Sequence, residues 1–321
     1  MNRFALRFVL ILCAALAATS ASAQYPAKPI RLVVGVPPGS AADALARIFA
    51  QGLGESLGQP VLVENKPGAE MAIAADAVRD ATADGHTIAL FEFSSMVGTP
   101  LLNKHVTFDS RRDFAPISLI GRMSMSLSVS PTSAVKSVGD LIDFARANPG
   151  KLNYASVGSV DTLLAGMLMK ATRISMTRVN YKGPVQSLQD LMAGRIDVAI
   201  NPLGAQIELA KNGRLRMLAV FGANRDADVP DVPTMTESRV PEVAFDGMWF
   251  GLFGPAKMPS ERINRLAQEV NALLKRPDMR EKLALRSLKP ESSTPDALGA
   301  LLKADFERWS KIVAELGLAA M

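Results

Sequence analysis

The side chains able to do chemistry are few in this chain, and their spacing argues against catalysis. His86 and His105 are the only two histidines. Neither has a companion at metal-ligand spacing, so no metal site is expected. His86 follows the Asp84-Gly85 turn and is expected to be exposed. The single cysteine, Cys13, lies close to the N-terminus, so the rest of the chain has no thiol nucleophile, disulfide or cysteine-based zinc site. Tyr154-Ala155-Ser156-Val157-Gly158 has tyrosine where a nucleophile elbow needs its first glycine. Gly52-x-Gly54-x-x-x-Gly58 has the wrong spacing for a dinucleotide loop and lies inside a helical pattern. No Walker sequence occurs, and no cofactor is expected. What remains is a supply of Gly, Ser, Thr and Asn in the segments that follow strand-like runs. Those residue types suit binding rather than turnover.

The elements that would position them alternate in type. Ile30 to Val36 is a nearly continuous β-branched run, as in a strand buried on both faces. Pro37-Pro38-Gly39 breaks it, and Leu45, Ile48, Phe49, Leu53 and Leu57 then recur at helical spacing. Ser40-x-x-Asp43 has the form of a capping box. Strands are expected at 60–64, 87–93, 127–130, 153–156, 177–182, 195–200, 214–221 and 249–253. Helices are expected at 71–81, 137–147, 161–172, 185–193, 202–211, 260–275, 277–286 and 295–316. Strands alternating with helices imply an α/β fold with parallel sheets flanked by helices. Ligands of such sheets bind beyond the carboxyl ends of the strands, which points to segments 36–43, 93–99, 156–162, 181–186 and 200–205. Helix N-termini there offer backbone N–H groups and partial positive charge, a fit for carboxylates.

Composition sets the compartment. Arg3 and Arg7 precede an apolar run from Phe8 to Ala18 that ends in Ala21-Ser22-Ala23. That pattern is a cleaved secretory signal over residues 1–23, too short to span a membrane. The formal net charge is +5, of which Arg3 and Arg7 supply two. The remaining basic residues are scattered among acids with no aromatic-interleaved patch, which argues against nucleic-acid binding. An exported chain of this size without disulfides suits a bacterial periplasm.

Specific segments carry a resemblance. Tyr25-Pro26-Ala27-Lys28-Pro29-Ile30-Arg31-Leu32-Val33-Val34, Pro37-Pro38-Gly39 with Asp43, and Val63-Glu64-Asn65-Lys66-Pro67-Gly68 come first. Ala83-Asp84-Gly85-His86-Thr87, Pro149-Gly150-Lys151-Leu152-Asn153-Tyr154-Ala155-Ser156, Tyr181-Lys182-Gly183, Gly194-Arg195-Ile196-Asp197 and Trp249-Phe250-Gly251-Leu252 follow. In this order the chain resembles the Bug-type extracytoplasmic solute receptors, the substrate-binding proteins associated with tripartite tricarboxylate transporters. The resemblance implies a two-lobed periplasmic binding fold with two crossings, type II-like. Lobe 1 would be residues 24–124 plus 249–321 and lobe 2 residues 125–248. It implies a monomeric receptor, not an enzyme, that closes on a small carboxylate (an organic acid or an amino acid) and delivers it to the transporter's membrane subunits. A receptor signalling to a membrane sensor kinase would need the same fold, and an enzyme site assembled in space is a third alternative.

The expected ligand contacts are Gly39, Ser40, Asp43, Ser94, Ser95, Ser156, Ser159, Thr162, Tyr181 and Asn201, with Tyr181 and Trp249 either walls of the cleft or core. The family commonly has a second glycine where Ser40 stands. Ser40 either donates to a ligand or caps the helix, and the cap is favoured; Asp43, at the third helical position, is open to the same alternative. Residues 157–164 are one short of the family's usual loop and carry leucine where histidine is common. Glu92 would repel a carboxylate placed close to it. Strand alternation favours sending Glu92 to a solvated edge and Phe93 inward. Were Glu92 or Asp161 to face the cleft, the ligand would carry an amine.

Overall fold

The computed structural model of the protein describes residues 25–318. The leader read over residues 1–23 lies outside them. The chain opens with strand β1 (Ile30–Val34), buried except at Arg31. Helix α1 (Ala41–Leu57) follows, with Ser40 as its N-cap. It buries Leu45, Ala46, Phe49, Ala50 and Leu53 along one face, the stripe that the sequence periodicity requires. Gly58 ends it in the left-handed conformation (φ 67°), where a side chain would be strained. Strand β2 (Val61–Asn65), helix α2 (Ala72–Arg79) and strand β3 (Thr87–Glu92) complete the opening unit.

Beyond β3 the structure departs from the sequence reading. Residues 93–99 do not form a loop. Ser94–Gly98 make a π-helical turn that runs into the short helix α3 (Thr99–Leu102), and Ser95, Met96, Val97 and Gly98 are buried. Next comes strand β4 (Phe114–Met123), which the hydrophobic pattern did not disclose. Only Ser124 separates it from β5 (Met125–Val129).

The middle of the chain alternates as expected. It contains α4 (Val138–Ala147), β6 (Asn153–Ser156), α5 (Ser159–Thr172), β7 (Thr177–Asn180), α6 (Pro184–Met192), β8 (Val198–Pro202), α7 (Ile207–Lys211) and β9 (Arg216–Val220). The chain ends through β10 (Met248–Pro255), α8 (Ser260–Lys275), α9 (Pro277–Ala284), β11 (Lys289–Pro290) and α10 (Pro295–Glu315).

The strands form two sheets, ordered β11-β4-β10-β3-β1-β2 and β7-β6-β8-β5-β9. Each sheet is mixed rather than wholly parallel. β1 runs parallel to β2 and β3, and β6 to β7 and β8. β10 is antiparallel to both β3 and β4, and β5 to both β8 and β9. The antiparallel pairings involve the strands that lead into or out of the passages between the sheets.

Apolar packing is continuous between the two halves, with Ile117 and Ile120 of β4 in one cluster with Leu127 and Val129 of β5. Phe93 lies at the centre of an edge-to-face aromatic group, its ring centroid 5.3 Å from Phe245, 6.3 Å from Trp249 and 5.2 Å from Trp309. Trp249 is fully buried there, its Nε1 donating to Asp305 Oδ2 at 2.7 Å, so it is core and not a cleft wall. A polar tie spans the first passage between the sheets. Asp226 Oδ2 accepts from Ser124 Oγ at 2.7 Å and from Lys289 Nζ at 2.6 Å.

Candidate functional site

The carboxyl ends of the parallel strands carry most of the expected contacts. In the first sheet, the segment after β1 is held by Asp43, which is 2% exposed. Asp43 Oδ2 accepts from the Gly39 N–H at 2.9 Å and from Arg47 Nε at 2.9 Å. Its Oδ1 accepts from Asn65 Nδ2 at 2.8 Å, and the same amide nitrogen donates to the Val36 carbonyl at 3.0 Å. Hydrogen bonding from Arg47 is the largest influence pulling its carboxyl down to about 2. Ser40 Oγ accepts from the Asp43 N–H at 3.2 Å, so its hydroxyl caps the helix. Asp43 is thus the brace of this segment. The first-turn N–H groups of residues 41 and 42 have no acceptor inside the helix, as at any helix start.

Asn65 was matched in the sequence only as part of a family segment. Its bracing role needs β2 beside β1, a pairing that the sequence alone does not display.

The second sheet repeats the device at α5. Asp161 Oδ2 accepts from the Val157 N–H at 2.5 Å and its Oδ1 from the Gly158 N–H at 2.9 Å. Burial pushes this carboxyl up to about 6, against the pull of those two N–H groups. Thr162 Oγ1 lies 2.8 Å from Ser156 Oγ and donates to the Gly158 carbonyl at 2.7 Å. Along the same sheet edge, Tyr181 donates to Asp190 Oδ2 at 2.8 Å, and burial followed by that bond pushes its phenol up to about 12. Asn201 is buried and donates to Ser187 Oγ at 3.3 Å.

At the end of β3, Ser95 Oγ donates to the Glu92 carbonyl at 2.8 Å and accepts from the Glu92 N–H at 3.1 Å. Ser94 Oγ lies 3.7 Å from Met248 Sδ. The buried hydroxyl of Ser159, at the start of α5, has no hydrogen-bond partner among the described residues. It packs on Gly98, where an added Cβ would come within 2.6 Å of the Ser159 Cβ. The structure therefore joins Ser94, Ser95 and Ser159 through Gly98, and groups Ser156, Asp161 and Thr162 at the start of α5. Replacing Gly98 with valine is expected to destabilise the protein by about 1–3 kcal/mol through overpacking. Urea denaturation reads this directly, and adding Ser159→Gly should return part of the loss. An unchanged midpoint for the single variant would sink the claimed contact.

Glu92 does not go to a solvated edge. Phe93, with helical backbone angles (φ −47°, ψ −45°), is buried inward as expected. Glu92 instead lines a crevice with Val36, Ala42, Met71, Leu90 and Phe250. The void is about 10 Å³, near the threshold for a single water. Desolvation by burial pushes the Glu92 carboxyl up to about 7. Met123 and Met96 are core residues. His86, expected to be exposed, is half-buried with its ring edge-on to Tyr25 at 5.2 Å. Among the described residues, no group of three or more His, Cys, Asp or Glu is placed to hold a metal ion, and no helix is long and apolar enough to cross a membrane.

Two helix-flanked mixed sheets with two passages of chain between them define a two-lobed periplasmic binding fold. Residues 45–318 match the family of tripartite tricarboxylate transporter receptors, and the chain belongs to that family. It is 31% identical to Protein BugT of Bordetella pertussis over 312 residues, 96% of this chain and 95% of that one. Rpa4515 of R. palustris, whose structure was determined with adipate, is 31% identical, with a TM-score of 0.84 over 92% of this chain and 100% of that one. MatC of Rhodopseudomonas palustris, with bound malate, is 26% identical, with a TM-score of 0.79 over 90% of this chain and 100% of that one.

Proposed function

We propose that the protein is a periplasmic receptor that captures a small carboxylate between two lobes and performs no chemistry on it. The lobes are residues 24–124 with 249–321, and residues 125–248. The observation that carries this reading is the pair of braced helix starts. α1 follows β1 and α5 follows β6, and each has a buried acid fixing the backbone just ahead of its first turn. A fixed helix start presents preorganised N–H groups to an anion without the cost of ordering them at binding. Adipate in Rpa4515 and malate in MatC support a carboxylate as the solute.

In this reading the first turns of α1 and α5 hold the carboxylates, and the hydroxyls of Ser94, Ser156 and Thr162 complete the set. Tyr181 and Asn201 flank the second lobe's side of the site. Closure shifts an existing equilibrium by as much as the ligand prefers the closed form. The closed receptor then meets the membrane subunits of a tripartite tricarboxylate-type transporter. The leader over residues 1–23 directs export, and the receptor acts as a monomer.

The test is thermal denaturation of residues 24–321, unfolded and refolded beforehand to strip carried-over ligand. Dicarboxylates, tricarboxylates, aromatic acids and amino acids are added one at a time. A true ligand at about a thousand times its Kd stabilises by about 4 kcal/mol, a shift of several degrees for a chain of this size. If no acid in the panel moves the transition, the carboxylate reading is wrong.

A further inference from the structure

We propose that Glu92 selects the ligand by accepting a hydrogen bond from its amino group, so that the preferred solute is a small carboxylate that also carries an amine. This rests on the receptor reading above and narrows its substrate class. Glu92 is the last residue of β3, paired in register with Phe250 of β10 and beside the carboxyl end of β1. Its crevice is otherwise apolar, lined by Val36, Ala42, Met71, Leu90 and Phe250.

Among the described residues, no side chain is paired with its carboxylate. The cations on the neighbouring elements are engaged with other acids: Arg47 with Asp43 at 2.9 Å, Arg31 with Glu64 at 2.5 Å, and Lys66 with Glu64 at 2.9 Å. Glu92 is half-buried, and burial is the influence that raises its carboxyl. A desolvated carboxylate without a partner is unfavourable in the empty protein. Residues that serve only to pack a strand end do not need a charge there.

The surroundings fix the polarity of the missing partner. Ala42, in the first turn of α1, lines the same crevice as Glu92. One boundary of the crevice thus offers helix N–H groups and partial positive charge, and another offers an acid. A ligand with a carboxylate at one end and an ammonium a few atoms away complements both. A plain dicarboxylate satisfies the first and is repelled by the second.

The experiment is calorimetric titration of refolded residues 24–321 with acids paired so that they differ by one amino group: succinate with aspartate, glutarate with glutamate, and butyrate with 2-aminobutyrate. Glu92→Gln keeps the shape and removes the charge, and Glu92→Asp keeps the charge but shortens its reach. Thermal melts confirm that each variant folds. In the native protein the amino member of at least one pair should bind tenfold or more tighter than its partner. Glu92→Gln should erase that preference by weakening the amino member tenfold or more while leaving the plain acid as tight or tighter. Glu92→Asp should retain part of it. If plain acids bind and Glu92→Gln leaves every ratio unchanged, Glu92 is not a selector and the carboxylate receptor stands without it. A preference for plain acids in the native protein has the same consequence. If neither kind of acid binds, the receptor reading falls and takes this inference with it.

Discussion

Asp43→Ala is expected to destabilise the protein by about 3 kcal/mol and to weaken ligand binding tenfold or more. The carboxylate accepts from Gly39, Arg47 and Asn65. Hydrogen bonds to a charged group each contribute about 1.5–3 kcal/mol, with partial compensation by water once the group is removed. Gly39 and Asn65 would lose the acceptor that holds residues 36–40 against α1, so the first turn would no longer be set for an anion. Acid should reproduce the stability loss in the native protein. The carboxyl is pulled down to about 2, below its ordinary 3.8. Its contribution is therefore present above pH 4 and disappears as the pH falls toward 2. Urea midpoints for the native protein and Asp43→Asn should converge across that interval. A gap that stays constant from pH 7 to pH 2 would falsify the brace.

The second large effect belongs to Phe93. Its ring is fully buried and lies edge-on to Phe245, Trp249 and Trp309. Phe93→Ala removes that packing and leaves a cavity that the rigid indoles cannot fill, at a cost of about 3–5 kcal/mol. Phe93→Leu should lose appreciably less. Because Trp309 is on α10 and Trp249 on β10, the alanine variant should also loosen the C-terminal helix from the first sheet. Hydrogen exchange along residues 295–315 would report that loosening. A loss below about 0.5 kcal/mol, as for an ordinary surface position, is incompatible with this cluster.

The parts of the fold that were legible in sequence are those whose signals are local. Ile30 to Val34 could be read as a buried strand and Ser40-x-x-Asp43 as a helix start because neither depends on distant residues. The helices expected at 260–275, 277–286 and 295–316 are found at Ser260–Lys275, Pro277–Ala284 and Pro295–Glu315. β4 escaped because Pro116 and Gly121 interrupt Phe114–Met123 with residues that ordinarily break strands. β10 tolerates both, with register shifts at Phe250/Gly251 and Leu252/Phe253. The turn at 94–98 escaped for a related reason: Gly98 there is required by Ser159, far along the chain. At the candidate site, the cap at Ser40 was readable, while the covering of the Glu92 face was not. Alternation does place Glu92 with Leu90 on the face opposite Phe93; that α1 and Met71 cover this face is set by distant packing.

The place of β10 in the first sheet bears on how the protein comes to be folded. This strand lies between β3 and β4, and among the described residues β4 pairs only with β10 and β11. A chain appearing from its N-terminus therefore carries an open seam at the middle of its first sheet until the stretch beyond Met248 follows. Two rows of backbone groups, on β3 and on β4, wait unpaired through that interval. Pairings so far apart in sequence make assembly slow and leave the partly made sheet adhesive. The first sheet can be completed only when its last long strand arrives.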